Sequence, residues 1–217
     1  MKTQSCEDMT GMFIKARSYW DGGETIILPT TQNVKKMTYM FQQGRVGKCG
    51  SIFSKDGLKN CEDLSYMFYQ SSAEVISFPF NSDKKCNMTY FAASCSSLTS
   101  IYVNTKNASD LSMAFYNCPK LKSCGTLDCD LCENTSAIVN DSENINDLIL
   151  VKLHVSTDLD YCTNNYSHAD LIHLFNNLGT PATNATLEIS TTSYNTLSDD
   201  EKNIVTSKGW KLTKGLN

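Results

Sequence analysis

The sequence predicts an α/β repeat: a solenoid of about five irregular coils, continued or capped by a C-terminal strand–helix–strand–helix–strand segment. Three observations predict it. A short phrase recurs five times across the first half of the chain. The clearest copies are followed by an alternating strand pattern. Two helices with capping signals, each followed by a strand, begin at Ser167 and Ser198, 31 residues apart. Residues 1–133 are assigned to the coils and residues 134–217 to C-terminal α/β repeats or a capping module.

The phrase reads CEDMTGMF (6–13), VKKMTYMF (34–41), CEDLSYMF (61–68), KCNMTYFA (85–92) and ASDLSMAF (108–115). Its fourth residues are Met9, Met37, Leu64, Met88 and Leu111, at intervals of 28, 27, 24 and 23. Large apolar residues at that spacing point to a leucine-rich-repeat-like solenoid. Equivalent residues of successive coils stack there, so each inward position becomes a ladder. The ladder explains the cysteines: Cys95 and Cys118 align, as do Cys6 and Cys61, and a small, weakly polar side chain suits a tight inward turn. Ten cysteines in 217 residues therefore read as mostly buried free thiols rather than as a disulfide framework.

The strand of the unit is clearest in the last two copies, where AASCSSLTSIYV and FYNCPKLKSCGT align Leu98 with Leu121. Leu98, Ile101 and Val103 are expected to face a core, with Ser100 and Tyr102 outward. VISFPF (75–80) and TIILP (25–29) are looser counterparts, and QQGRVGKCGSIF is the least regular unit. Past Cys132 the phrase stops, and the polar ENTSAIVNDSENIND reads as a connecting loop. LILVKLHV (148–155) is a predicted strand. SHADLIHLFNNLG (167–179) is a helix with Ser167 as N-cap, Asp170 three residues on and Gly179 as C-cap. ATLEIS (185–190) is a strand. SDDEKNIVTSKG (198–209) is a helix with a Ser198–Glu201 capping box, and WKLT is a closing strand. The pair reads as the same coil with its irregular convex segment replaced by a true helix; the alternative is a separate small α/β domain beginning near residue 140.

The stretches DLSMAFYNCPKLKSC, NMTYFAASCSSLTSI and CEDLSYMFYQSS resemble the repeats of BspA-type leucine-rich-repeat proteins, found on bacterial surfaces, in some protists and in proteins encoded by gut bacteriophages. The resemblance covers residues 1–130, and the C-terminal LFNNLG…WKLT also resembles tails of such proteins. It implies an adhesion or recognition surface rather than an enzyme, and brings no ligand motif transferable residue by residue.

Composition excludes several classes. A net charge of −4 without a basic stripe argues against a nucleic-acid partner. No run approaches the roughly 18 apolar residues of a membrane span. The start lacks the apolar run of a signal peptide, which favours a virion or phage-tail component over an exported cell-surface adhesin. CDLC (129–132), with Cys118 and Cys124, supplies four thiols, enough in number for zinc. Their spacing is not that of two matched pairs, and the ladder already accounts for two of them; a small zinc-binding or hydrolytic domain is the alternative. His168 and His173 lie about 140° apart around a helix and cannot share a metal. Asp199, Asp200 and Glu201 complement a helix dipole, and GRVGKCG (44–50) lacks phosphate-loop spacing. SYW (18–20) and Tyr102 read equally as ligand contacts or as coil-end packing. The expected function is non-enzymatic recognition of a protein or surface glycan, without cofactor, in multiple copies within a larger assembly. Ser77, Ser100, Tyr102 and Ser123 are the expected outward, ligand-facing residues.

Overall fold

The structure, a computed structural model, describes residues 5–16, 31–45, 58–78 and 80–215. Each recurring phrase forms a turn segment with the same backbone. In the third, the amides of Leu64, Tyr66, Phe68 and Gln70 donate to the carbonyls of Asn87, Thr89, Phe91 and Ala93 in the next segment. The intervening amides of Met67 and Tyr69 close turns on Leu64 and Tyr66. The same alternate-residue ladder joins the segments starting at Met9, Met37, Met88 and Leu111 to their successors. Two residues per segment, four apart, take the left-handed region: Gly11 and Lys15, Tyr39 and Gln43, Tyr66 and Gln70, Tyr90 and Ser94, Met113 and Asn117. Glycine occupies only the first of these ten positions. Elsewhere a side chain there costs about 1 kcal/mol of backbone strain, offset by the hydrogen bond its amide makes to the next segment.

That ladder corrects the reading of ENTSAIVNDSENIND as a loop. Leu111, Met113, Phe115 and Asn117 donate to the carbonyls of Asn134, Ser136, Ile138 and Asn140, and Ala137 and Asp141 are left-handed. Thr135 is fully buried at the position equivalent to Leu111, with Ile138 and Val139 buried beside it. The segment is a sixth copy, and the hydrogen bonding crosses residue 134 without interruption. Its polarity hid it, because a threonine and Ser142 stand where the other copies carry Leu or Met and, in two cases, Cys.

The regular elements in chain order are β1 (Val75–Phe78), β2 (Cys86–Asn87), β3 (Ser100–Val103), β4 (Ala108–Asp110), β5 (Ser123–Asp128), β6 (Asp147–Val151), β7 (Thr157–Asp158), α1 (Asp160–Thr163), α2 (His168–Asn177), β8 (Ala185–Ile189), α3 (Thr191–Thr196), α4 (Asp199–Thr206) and β9 (Trp210–Lys214). All pairing is parallel. One sheet runs β1-β3-β5-β6 and another β7-β8-β9. The short β2-β4 pair is extended by single bridges linking Asp8, Lys36, Asp63 and Asn87 in turn, and Asp110 to Asn134. Leu98 and Ile101 are buried and Tyr102 is exposed, as the alternation predicts, while Val103 is only half-buried. TIILP lies outside the described residues. The predicted strand 148–155 stops at Val151, because Lys152 takes a left-handed φ of 57°.

Both predicted helices form with complete capping boxes, Ser167 with Asp170 and Ser198 with Glu201. Gly179 serves a different purpose from the expected C-cap. Leu178 caps α2 in an extended conformation, and a Cβ on Gly179 would lie 2.8 Å from the Lys152 carbonyl oxygen. Close backbone approach is what requires glycine there. The helices also sit elsewhere than expected: α2 packs on β6, at the edge of the four-stranded sheet, and α4 packs on both α2 and β9. The short helices α1 and α3, not foreseen from sequence, pack together instead, with the Ser190 amide and Ser193 hydroxyl donating to the Thr163 hydroxyl and carbonyl. One hydrophobic core runs from Met9 through Phe41, Phe68, Phe91 and Phe115 to Phe175 and Trp210.

Candidate functional site

The sheet β1-β3-β5-β6 buries one face and leaves the other open. Ser77 of β1 lies in register with Tyr102 of β3, and Ser100 with Ser123 of β5. Tyr102 is 57% exposed, the highest value among the described large apolar and aromatic side chains. Beside it opens a shallow groove of about 340 Å³, whose polar lining comes from Ser77, Tyr102, Asn104 and Thr126. Of the four expected residues, the structure brings Ser77 and Tyr102 into this groove. Ser100 and Ser123 sit further along the same strands, and the Ser123 hydroxyl donates to Asp147 Oδ2 at 2.6 Å. The β5 register shifts between Ser123 and Gly125, and Gly125 is left-handed (φ 63°). A bulge of this kind re-aims the strand. A Cβ at Gly125 would meet nothing within 4 Å, so the glycine is also where the groove stays open. Asn104, Gly125 and Thr126 were not anticipated; the CGT interruption after Leu121 is the signal that marks the last two.

A second feature escaped the sequence reading although it lies inside the phrase. Tyr39, Tyr66 and Tyr90 stack in a row, with centroids 4.8 Å apart at each step, and Tyr69 meets Tyr66 edge-on at 5.6 Å. Their left-handed backbone turns the rings away from the core, where each covers its neighbour's face. The row ends as Met113 and Ala137 take the equivalent position.

The described cysteines are free thiols, all buried except the half-buried Cys6. Cys95 and Cys118 each donate a thiol hydrogen bond, at 3.1 Å, to the carbonyls of Phe68 and Ala92. The Cys118 thiol beside Cys95, together with burial, pushes the Cys95 thiol up. Cys118, Cys124, Cys129 and Cys132 do not gather: the Cys129 and Cys132 thiols turn to the carbonyls of Leu127 and Asn134. Burial raises Cys124 and Cys129 and holds Cys132 at about 11, the opposite of what a free thiolate nucleophile needs.

Among the described residues, the one group spaced to hold a cation is Asp158, Asp160 and Glu188, whose carboxylate oxygens lie within 4.8 Å of one another. Asp158 and Glu188 also line a groove of about 290 Å³ with Ser136 and Thr186. Burial raises the Asp158 carboxyl to about 6, with the Asp160 and Glu188 carboxylates adding to the rise. His168 Nε2 lies 2.6 Å from Glu201 Oε1, tying α2 to α4, and His154 Nδ1 lies 3.2 Å from the Lys152 carbonyl. SYW (18–20) and most of GRVGKCG lie outside the described residues. No described helix is long and apolar enough to cross a membrane.

Residues 1–97 match the family model described as a Mycoplasma protein of unknown function, DUF285. That stretch contains the first four copies of the phrase. No curated protein and no solved structure matches the chain.

Proposed function

We propose that the chain is a leucine-rich-repeat-like solenoid of the BspA type, acting as a non-enzymatic recognition or adhesion module through the open face of β1, β3 and β5. The observation that carries this reading is the exposed Tyr102 beside an uncharged groove, on a sheet whose strands are fixed by parallel pairing. A preformed surface binds without the cost of ordering itself. The family match over the first four copies supports the repeat assignment. The setting that fits is a virion or bacterial cell surface, with several copies in one assembly so that modest contacts add by avidity.

The test is binding to printed arrays of purified surface proteins and purified glycans, comparing the wild-type chain with Thr126→Arg, which places charge and bulk in the groove. Binding of at least one array class, lost in Thr126→Arg, is the expected result. Binding that survives Thr126→Arg and a second face variant, Ser77→Arg, would remove this face from the function.

A further inference from the structure

We infer that the Tyr102 groove is a subsite for one pyranose ring of a neutral glycan; this rests on the strand face being the recognition surface and narrows it to one ligand class. The first argument is what surrounds the ring. Tyr102 lies in register with Ser77 on β1, and Gly125 of the β5 bulge, which has no side chain to cover the ring, lines the same groove. Among the described residues, Tyr102 makes no aromatic ring contact. The Tyr39–Tyr66–Tyr90 row differs here, since its stacked faces are already occupied. An aromatic face left bare between two small residues is a platform for the C–H face of a sugar, which is flat and apolar.

The second argument is polarity. The groove is lined by Ser77, Phe78, Tyr102, Val103, Asn104, Cys124, Gly125 and Thr126, and no charged side chain is among them. Two hydroxyls and one carboxamide offer both donors and acceptors around the ring, the mixture that sugar hydroxyls need. An anionic sugar or phosphate finds no cation there, and an acidic or basic peptide finds no counter-charge. The third argument is size. About 340 Å³ lies at the lower end of small-ligand sites, which suits one sugar ring with its neighbours running out over the sheet.

The experiment uses the full ¹⁵N-labelled chain and a fixed set of probes: methyl glycosides of glucose, galactose, mannose and N-acetylglucosamine, and the neutral malto-, cello- and chito-trisaccharides. Sialyllactose and a heparin disaccharide serve as charged probes. At least one neutral saccharide should shift the amides of Gly125, Thr126 and Asn104. Tyr102→Ala should weaken it by about tenfold, and Tyr102→Phe by far less, since the ring carries the contact. Gly125→Asn, a residue that tolerates the left-handed backbone, should close the groove and abolish the shifts while the rest of the spectrum stays in place. The inference is overturned if no neutral saccharide moves these amides, if the charged saccharides bind as well, or if Tyr102→Ala binds like the wild type. A protein ligand lost in Thr126→Arg, with no neutral saccharide bound, would sink the glycan subsite and leave the recognition face standing. Loss of neither class in any face variant would sink both.

Discussion

Ser71, Cys95, Cys118 and Ser142 form one inward ladder in which each side chain donates to a carbonyl in the preceding copy: Gly44, Phe68, Ala92 and Phe115. Serine and cysteine substitute for one another because the position selects a short side chain with one donor. Thiol chemistry plays no part in that choice. Cys118→Ser is therefore expected to keep the fold within about 1 kcal/mol, whereas Cys118→Leu overpacks the turn and costs about 2 kcal/mol; urea unfolding of both variants reads the difference. The aligned cysteines were legible in the sequence as packing, because Cys95 and Cys118 recur with the phrase. Their serine equivalents were not, since chemistry and hydropathy both change between the two residues. Asp158 makes a second residue-scale prediction. Its folded carboxyl is raised to about 6 by burial, so any stability tied to its proton is fully present below the usual carboxyl value near 3.8 and lost as pH rises through 6. Asp158→Asn should raise the Tm at pH 7.5 and leave it nearly unchanged at pH 3.5. An equal effect at both values would mean that the carboxylates do not repel across β7 and β8.

At the scale of elements, the signals that survive translation into structure are those with local chemistry. The α2 and α4 capping boxes form as read, because Ser and an acidic residue three positions on satisfy each other's amides wherever a helix starts. Glu201 accepts from the Ser198 amide and hydroxyl, and with His168 these hold its carboxyl at about 2. A depressed carboxyl contributes stability that is present above the ordinary value near 4.5 and is lost as pH falls toward 2. Acid should fray α4 across that window, and Glu201→Gln should remove the dependence; circular dichroism between pH 5 and 2 checks it. Ser198→Ala should cost about 1 kcal/mol at neutral pH. Elements without local signals stayed hidden. α1 and α3 are short and carry no apolar stripe, and the sixth turn segment places Thr135 where its neighbours place Leu or Met. What defines that segment is the carbonyl row it offers to residues 111–117, a property of backbone geometry that side-chain patterning does not encode. The groove was half legible for the same reason: alternation pointed Ser77 and Tyr102 outward, but the bulge at Gly125 that opens the space depends on a register shift.

At the scale of the molecule, the backbone amides of each described turn segment donate to the next segment, and one core passes through all of them. No segment can bury its apolar side alone, so damage to one should spread to those on either side. Leu111 is fully buried between Met88 and Thr135 in that ladder. Leu111→Asp, which leaves an unpaired charge in the core, should unfold the copies at 88–94 and 134–140 as well as its own. Amide hydrogen exchange on the wild-type chain and on Leu111→Asp tests the stacked architecture most directly. In the wild type, the amides of Leu64, Tyr66, Phe68 and Gln70, and their equivalents in each copy, should be slow to exchange because they donate to the next segment. In the variant, protection should be lost together at residues 88–94, 111–117 and 134–140. Protection lost only at 111–117, with its neighbours as slow as in the wild type, would contradict the stack.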